Sequence, residues 1–364
     1  MLAKQTPMTL QDDVATLRAE FKALGYQERP TVPLVASWLV HFTIGMGGLA
    51  LFVVYPTTWM RVASMLVACF GFIGLATLGH TASHHAASDN KIFNKLYLYV
   101  TYPLLLQLSA NFWHYTHVQV HHTAPNIDGI DNDCDLRPFF ALNANQQKNG
   151  SAFKRWYWKY QGYLFPFMLP MNAFNVQRKG WRHLYRELKN PKQRNASTYL
   201  DLFCMTAHFG VWLVIPMMFL SPWLVLEIYV LRTAIVGTGL FGILAPGHFP
   251  AEAVVMERSQ REEGDFYLRQ AVSTVNFDTG VVGRFLCSGL EYQLEHHFFP
   301  GISHIYYPKM APMVRAFCER QGLPYRSLPW LEAIWKSYMV FFHVKPVIKD
   351  VDQLRGAMSS RYAA

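Results

Sequence analysis

The chain has 364 residues, of which 51% are hydrophobic and only 16% charged, with a formal net charge of +9. With 26 Phe, 19 Tyr and 10 Trp it is not a disordered chain, and so apolar a composition points to contact with lipid. Five scattered cysteines with no Cys-x-x-Cys pair exclude a disulfide framework or a cysteine zinc finger, whereas 15 histidines are unusually many.

Residues 1–33 form an N-terminal arm in which Asp12, Asp13, Arg18, Glu20 and Lys22 interrupt the apolar positions, unlike a secretory signal. Segments 34–54 and 62–79 hold no charge and approach the roughly 20 residues that cross a hydrocarbon core, so 34–79 predicts a transmembrane hairpin. A polar loop, 80–198, follows. Its apolar run 96–112 is short and broken by Pro103, which predicts a dip into the interface rather than a crossing. Trp156, Tyr157, Trp158 and Tyr160, mixed with Lys154, Arg155 and Lys159, suit the headgroup layer.

Segments 199–220 and 223–246 predict a second hairpin, 199–246, turning at Ser221 and Pro222. Its signal is weakened by Asp201, Glu227 and Arg232; a charge at such a depth normally faces protein or a polar cavity. Residues 247–364 form the C-terminal polar region. All but two of the 33 lysines and arginines, Arg61 and Arg232, lie in the three polar segments, so the positive-inside rule puts both termini and the long loop in the cytoplasm. That basic face reads as topology and attraction to anionic lipid, not as a nucleic-acid surface. The fold class expected is all-α, integral to the membrane, with two transmembrane hairpins and a cytosolic helical cap.

Candidate chemistry gathers where the spans end. His80, His84 and His85 stand in GHTASHH, and in a continuing helix His80 and His84 share a face. WHYTHVQVHH repeats the idea with His117, His121 and His122, and EYQLEHHFFP carries Gln293, His296 and His297. His248 stands alone in APGHFP after the fourth span. So many imidazoles exceed the three or four that one zinc would use, and two metals are the simpler count. His41 and His208, inside spans, and His183, His304 and His343 read instead as packing or surface residues. Asp131, Asp133 and Asp135 lack the glycine and terminal glutamate of a calcium loop and read either as partners of ligating histidines or as solvated surface.

These three histidine boxes among two hairpins resemble the integral-membrane fatty acid desaturase family. SDNKIFNKLYLYVTYPLLL, HHTAPNIDGIDNDCD and GLEYQLEHHFFPGISHIYYPKMAPMVRAFCERQGLPY look like its front-end or linoleoyl-CoA branch. The resemblance implies a cytosolic cap holding two irons, with His80, His84, His85, His117, His121, His122, His248, His296 and His297 as the metal set. Gln293 stands where other branches place a further histidine, and the resemblance makes it a functional residue of the catalytic site. Thr81 replaces the usual Asp and Gly247 the usual Asn, which bears on the position of the new bond. No His-Pro-Gly-Gly haem motif occurs, so no fused b-type cytochrome is expected.

The expected reaction is dioxygen-dependent desaturation of a lipid acyl chain, since removing hydrogen from an unactivated methylene needs an oxidant that no side chain supplies. Dioxygen would be co-substrate, the acyl group linked to coenzyme A, lipid or acyl carrier protein, and a separate ferredoxin or b-type cytochrome the electron donor. The same scaffold could hydroxylate the chain or convert an alkene to an alkyne, and the ligand set alone does not choose. From another class, a membrane zinc hydrolase would need fewer ligands, and a metal transporter would place them at mid-membrane.

Overall fold

The structure, a computed structural model, describes residues 10–351. The first nine residues of the expected N-terminal arm and the last thirteen of the C-terminal region lie outside the described residues. Four helices among them are long and apolar enough to span a membrane: Thr31–Val54, Thr58–Ser83, Ala196–Met217 and Pro222–Gly247. The expected spans are all present, each with ends moved by a few residues. The consequential change is in the second, which runs past Gly79 to Ser83 and so carries His80 in its last turn. The third is not one regular helix: Ala196–Phe209 passes through a π-helical stretch, Gly210–Val214, before Ile215–Met217.

The first two spans pack through small residues. A Cβ at Gly48 would lie 2.4 Å from the Ala68 nitrogen, and one at Gly71 would lie 2.3 Å from the Gly45 nitrogen. Only glycine allows backbones that close, the usual means of helix association in lipid. The three charges that weaken the second hairpin each have an account. Glu227 lies 3.9 Å from Arg61. Asp201 accepts hydrogen bonds from the Ser109 hydroxyl at 2.5 Å and from the Ala110 and Asn111 N–H groups at 3.1 and 3.2 Å. Arg232 is buried with its guanidinium 3.7 Å over the Trp212 ring and 5.1 Å from that of Phe72. A desolvated cation over aromatic faces gains on the order of 2 kcal/mol.

The run containing Pro103 forms helix Lys91–Tyr99, widened into a π-helical segment, Val100–Leu106, that absorbs the missing proline donor. The chain then reverses at Gln107, whose φ is 56°. A second composite helix follows, Ala110–Trp113 continuing as π-helix His114–His121. The amphipathic segment forms helix Ala152–Trp158, with Phe153 and Trp156 exposed.

Outside the spans, one apolar core joins helices Leu10–Ala23, Phe266–Ser273, Gln293–Phe298 and Tyr307–Gln321. Phe21, Phe298 and Phe317 are buried in it, each contributing about 2 kcal/mol through removal from water. Two-residue strands, Val255–Met256 and Val347–Ile348, pair in parallel and tie the end of the described chain to this cap.

Candidate metal centre

The second span delivers His80, and its C-cap residue, His84, follows four positions later. The composite helix Ala110–His121 delivers the second box. Sequence spacing places His117 and His121 on one α-helical face, but the helix is π-wound here. The i→i+5 pattern aligns His117 with His122 instead, and the His122 N–H donates to the His117 carbonyl at 3.1 Å. Helix Gln293–Phe298 brings in His296 and His297, which as successive helical residues point in different directions.

The result is two histidine groups. His80, His84, His117, His122 and His296 bring one nitrogen each within 4.8 Å of one another, as do His121, His248 and His297. Each of the two later His-His pairs is thus split, one member to each group. His80 Nε2 lies 2.8 Å from His117 Nε2, and His297 Nε2 lies 3.2 Å from His248 Nε2.

The outward-facing nitrogens are anchored. His121 Nδ1 donates to Asp131 at 2.9 Å, His117 Nδ1 to Asp133 at 2.7 Å and His297 Nδ1 to the Gln270 amide oxygen at 2.7 Å. His248 Nδ1 donates to the Ser273 carbonyl at 3.1 Å, and His296 Nδ1 lies 3.3 Å from the Tyr307 hydroxyl. These contacts leave the Nε2 atoms of the five rings turned inward, which is how imidazoles are presented to a metal. Buried His84 Nε2 and His296 Nε2 have no hydrogen-bond partner among the described residues. Convergent, dry, partnerless imidazole nitrogens suit a cation, so the residues present fit a metal pair.

Electrostatics agree. Burial, with the neighbouring imidazoles, holds His84, His117, His122, His296 and His297 well below the ordinary histidine range, and His248 down at about 3. All six are therefore neutral, the form that ligates. His121 differs: burial acts to lower it, but the charge and hydrogen bond of Asp131, reinforced by Asp133, raise it. Asp131 is correspondingly held below the usual carboxylate range despite its burial.

His85 departs from expectation. The second span's helix ends at Ser83, the chain leaves it with a left-handed φ of 56° at His85, and that side chain is exposed, outside both groups. Gln293 is buried, but its amide donates to the Leu290 carbonyl at 2.8 Å. A Cβ at position 247 would lie 2.5 Å from Gln293 Cδ, so Gly247 makes room for this amide. Of the three aspartates, Asp131 and Asp133 brace histidines, whereas Asp135 pairs with Arg137. His208 uses both ring nitrogens elsewhere, on the Leu104 carbonyl at 2.8 Å and the Tyr229 hydroxyl at 3.1 Å. Sequence reasoning missed Gln270, Ser273 and Tyr307, which stand in no histidine box. His304, read as a packing or surface residue, lies 2.7 Å from the Thr81 hydroxyl and lines a small cavity with His80, His84 and His296.

Both groups open onto one cavity of about 1190 Å³. His80, His117, His121, His248, His296 and Gln293 line it, as do Leu106, Val236, Leu240, Phe241 and Leu244. Arg178, Lys179 and Arg182, on helix Asn172–Lys189, also line it. The arrangement can hold a long apolar chain beside a metal pair, with a basic rim for a polar carrier.

A membrane-spanning scaffold with a histidine-built metal centre facing an apolar cavity defines a metal-binding membrane protein that handles long apolar chains. A family model for fatty acid desaturases matches residues 56–329. The chain belongs to the fatty acid desaturase family, the membrane oxidoreductases of acyl chains, and this disfavours the hydrolase and transporter readings. It is 24% identical over 336 residues to the Delta(8)-fatty-acid desaturase 1 of Arabidopsis thaliana, covering 88% of this chain and 72% of the relative. It is 26% identical over 310 residues to the Delta(5) fatty acid desaturase fat-4 of Caenorhabditis elegans, covering 82% and 66%. With the sn-1 linoleoyl-lipid 6-desaturase of Synechocystis the identity is 25% over 334 residues, covering 86% and 91%. The chain thus spans about two thirds to nine tenths of the length of these relatives.

Proposed function

We propose that this protein is an iron- and dioxygen-dependent desaturase that introduces a double bond into a lipid-linked acyl chain. The observation that carries the reading is the pair of histidine groups opening onto one long apolar cavity. The Delta(8), Delta(5) and linoleoyl-lipid 6-desaturases among its relatives support the front-end branch.

His80, His84, His117, His122 and His296 would hold one iron, and His121, His248 and His297 the other. Bound iron supplies dioxygen activation, which removes two hydrogens from the chain while two electrons and two protons complete the reduction to water. The protein's own part is placement. Asp131, Ser273 and Gln270 fix the tautomers of His121, His248 and His297, so each presents a lone pair rather than a proton. Leu240, Phe241 and Leu244 exclude water and hold the chain against the histidines, deciding which carbons react. Gln293, buried in the cavity wall, would be the catalytic-site amide beside an acyl chain held there.

The positive-inside rule, applied to the basic polar segments, supports a cytoplasmic side for both termini and the metal centre. The two hairpins form the membrane unit, and segments 80–198 and 247–364 form the cap. Electrons arrive from a separate acidic ferredoxin or cytochrome drawn to that basic face, so turnover falls as ionic strength rises. Expression in a host lacking polyunsaturated lipids, followed by mass spectrometry of extracted lipids, tests the reading. New double bonds that disappear in the His297→Ala variant are expected; hydroxylated or acetylenic products instead would reassign the reaction.

A further inference from the structure

One of the three ligands in the smaller group, His248, is held in part by a residue that lies after residue 329, where the match to the family model ends. His248 stands in a loop just after the turn Ala245–Gly247, without a long helix to aim it. Its carbonyl is gripped by the buried Lys345 ammonium at 2.7 Å and the Asn126 amide at 3.0 Å, filling both lone pairs. The same ammonium donates to the Ala253 carbonyl at 2.7 Å, so it clamps both ends of the loop that begins with His248.

Lys345 is itself held in place. Its N–H donates to the Leu142 carbonyl at 3.0 Å, its carbonyl accepts from the Ala144 N–H at 2.9 Å, and the strand that follows pairs with Val255–Met256. Lys345 also lines a small cavity with Asp131 and His248. Asp131 is the carboxylate that orients His121. One buried amine therefore fixes the backbone that carries His248 and faces the same small cavity as the carboxylate that orients His121. It lies after residue 329, where the family match ends.

We propose that Lys345 is a positioning residue for the three-histidine metal group, setting that group's metal affinity without touching the metal. This rests on the assignment of the two groups as iron sites. The experiment is anaerobic titration of the full-length, detergent-solubilised protein with Fe²⁺, read as metal bound per chain, alongside thermal unfolding. The variants are Lys345→Met, Lys345→Gln as a milder form that keeps an N–H donor group without the charge, and Arg315→Met. The last removes a charge from an exposed pair with Glu319.

The expected result is that Lys345→Met weakens one of two binding events by about 10- to 100-fold, the usual effect of removing a partner of a ligand. Lys345→Gln falls between it and the wild type, and Arg315→Met behaves as wild type. Wild-type affinity for both metals in Lys345→Met overturns the proposal, as does an equal loss of both metals together with the fold, which would make the strap merely structural. Should Lys345→Met not fold, the same outcomes are read from Lys345→Gln. Failure of the wild type itself to take up two irons would instead overturn the assignment of the groups.

Discussion

The two histidine groups are built on opposite plans. The larger has five imidazoles, and in it His117 and His296 have Nδ1 partners in Asp133 and Tyr307, whereas the buried His122 Nδ1 has none among the described residues. The smaller has three, and every one has its Nδ1 tied down, to Asp131, Ser273 or Gln270. Many ligands tolerate looser mounts, because losing the aim of one leaves four. Three ligands do not, but they leave more of the metal's coordination open to a small molecule such as dioxygen.

The contrast is broken most severely by removing a ligand. His121→Ala or His297→Ala abolishes turnover and lowers bound iron from about two per chain towards one, while the unfolding temperature stays close to that of the wild type; elemental analysis and scanning calorimetry read both. His84→Ala, in the group with ligands to spare, retains more of its iron than either. Next in size is Asp131→Asn, which keeps the shape but loses the carboxylate that holds His121. Affinity for one iron falls by about 10- to 100-fold in a competition titration, with the other unchanged.

Smaller effects sharpen the comparison. Gln293→Ala keeps both irons and loses turnover by roughly tenfold, the size of one hydrogen bond of about 1.4 kcal/mol. Gly247→Ala, whose new methyl would meet that amide, should reproduce part of this loss. Last come the two histidines placed outside both groups. His85→Ala leaves iron content and turnover as in the wild type, and His208→Ala keeps turnover but lowers stability by about 1 kcal/mol, since two buried partners lose their bond.

The spans and histidine boxes were legible in the sequence because each is local: an uncharged run of membrane length, or imidazoles a few residues apart. The division into two groups was not. It depends on the π winding of His114–His121, which the sequence WHYTHVQVHH does not announce and which brings the His122 ring, at 4.8 Å, as close to His117 as that of His121, at 5.1 Å. The outward position of His85 was equally hidden. His84-His85, His121-His122 and His296-His297 look alike in sequence, but the first pair falls past the end of its helix, where the backbone turns one member out to solvent. Gln270 and Ser273 escaped notice because they reach their histidines from another element, and Lys345 because it is 97 residues from the carbonyl it grips.

One of the intramembrane charges also sets an order of events during synthesis. The helix that presents His117, His121 and His122 begins at Ala110, and its first N–H groups are satisfied by Asp201, more than 90 residues later in the chain. When the second histidine box leaves the ribosome, it has the local Ser109 hydroxyl, which accepts from the Phe112 N–H at 3.1 Å, but not yet this carboxylate. It arrives with the third span, whose insertion lowers the carboxylate into place against Ser109 and Ala110. His248, His296 and His297 are made later still. Until the second hairpin has been made, the smaller group therefore consists of His121 alone, whereas four members of the larger group already precede it in the chain.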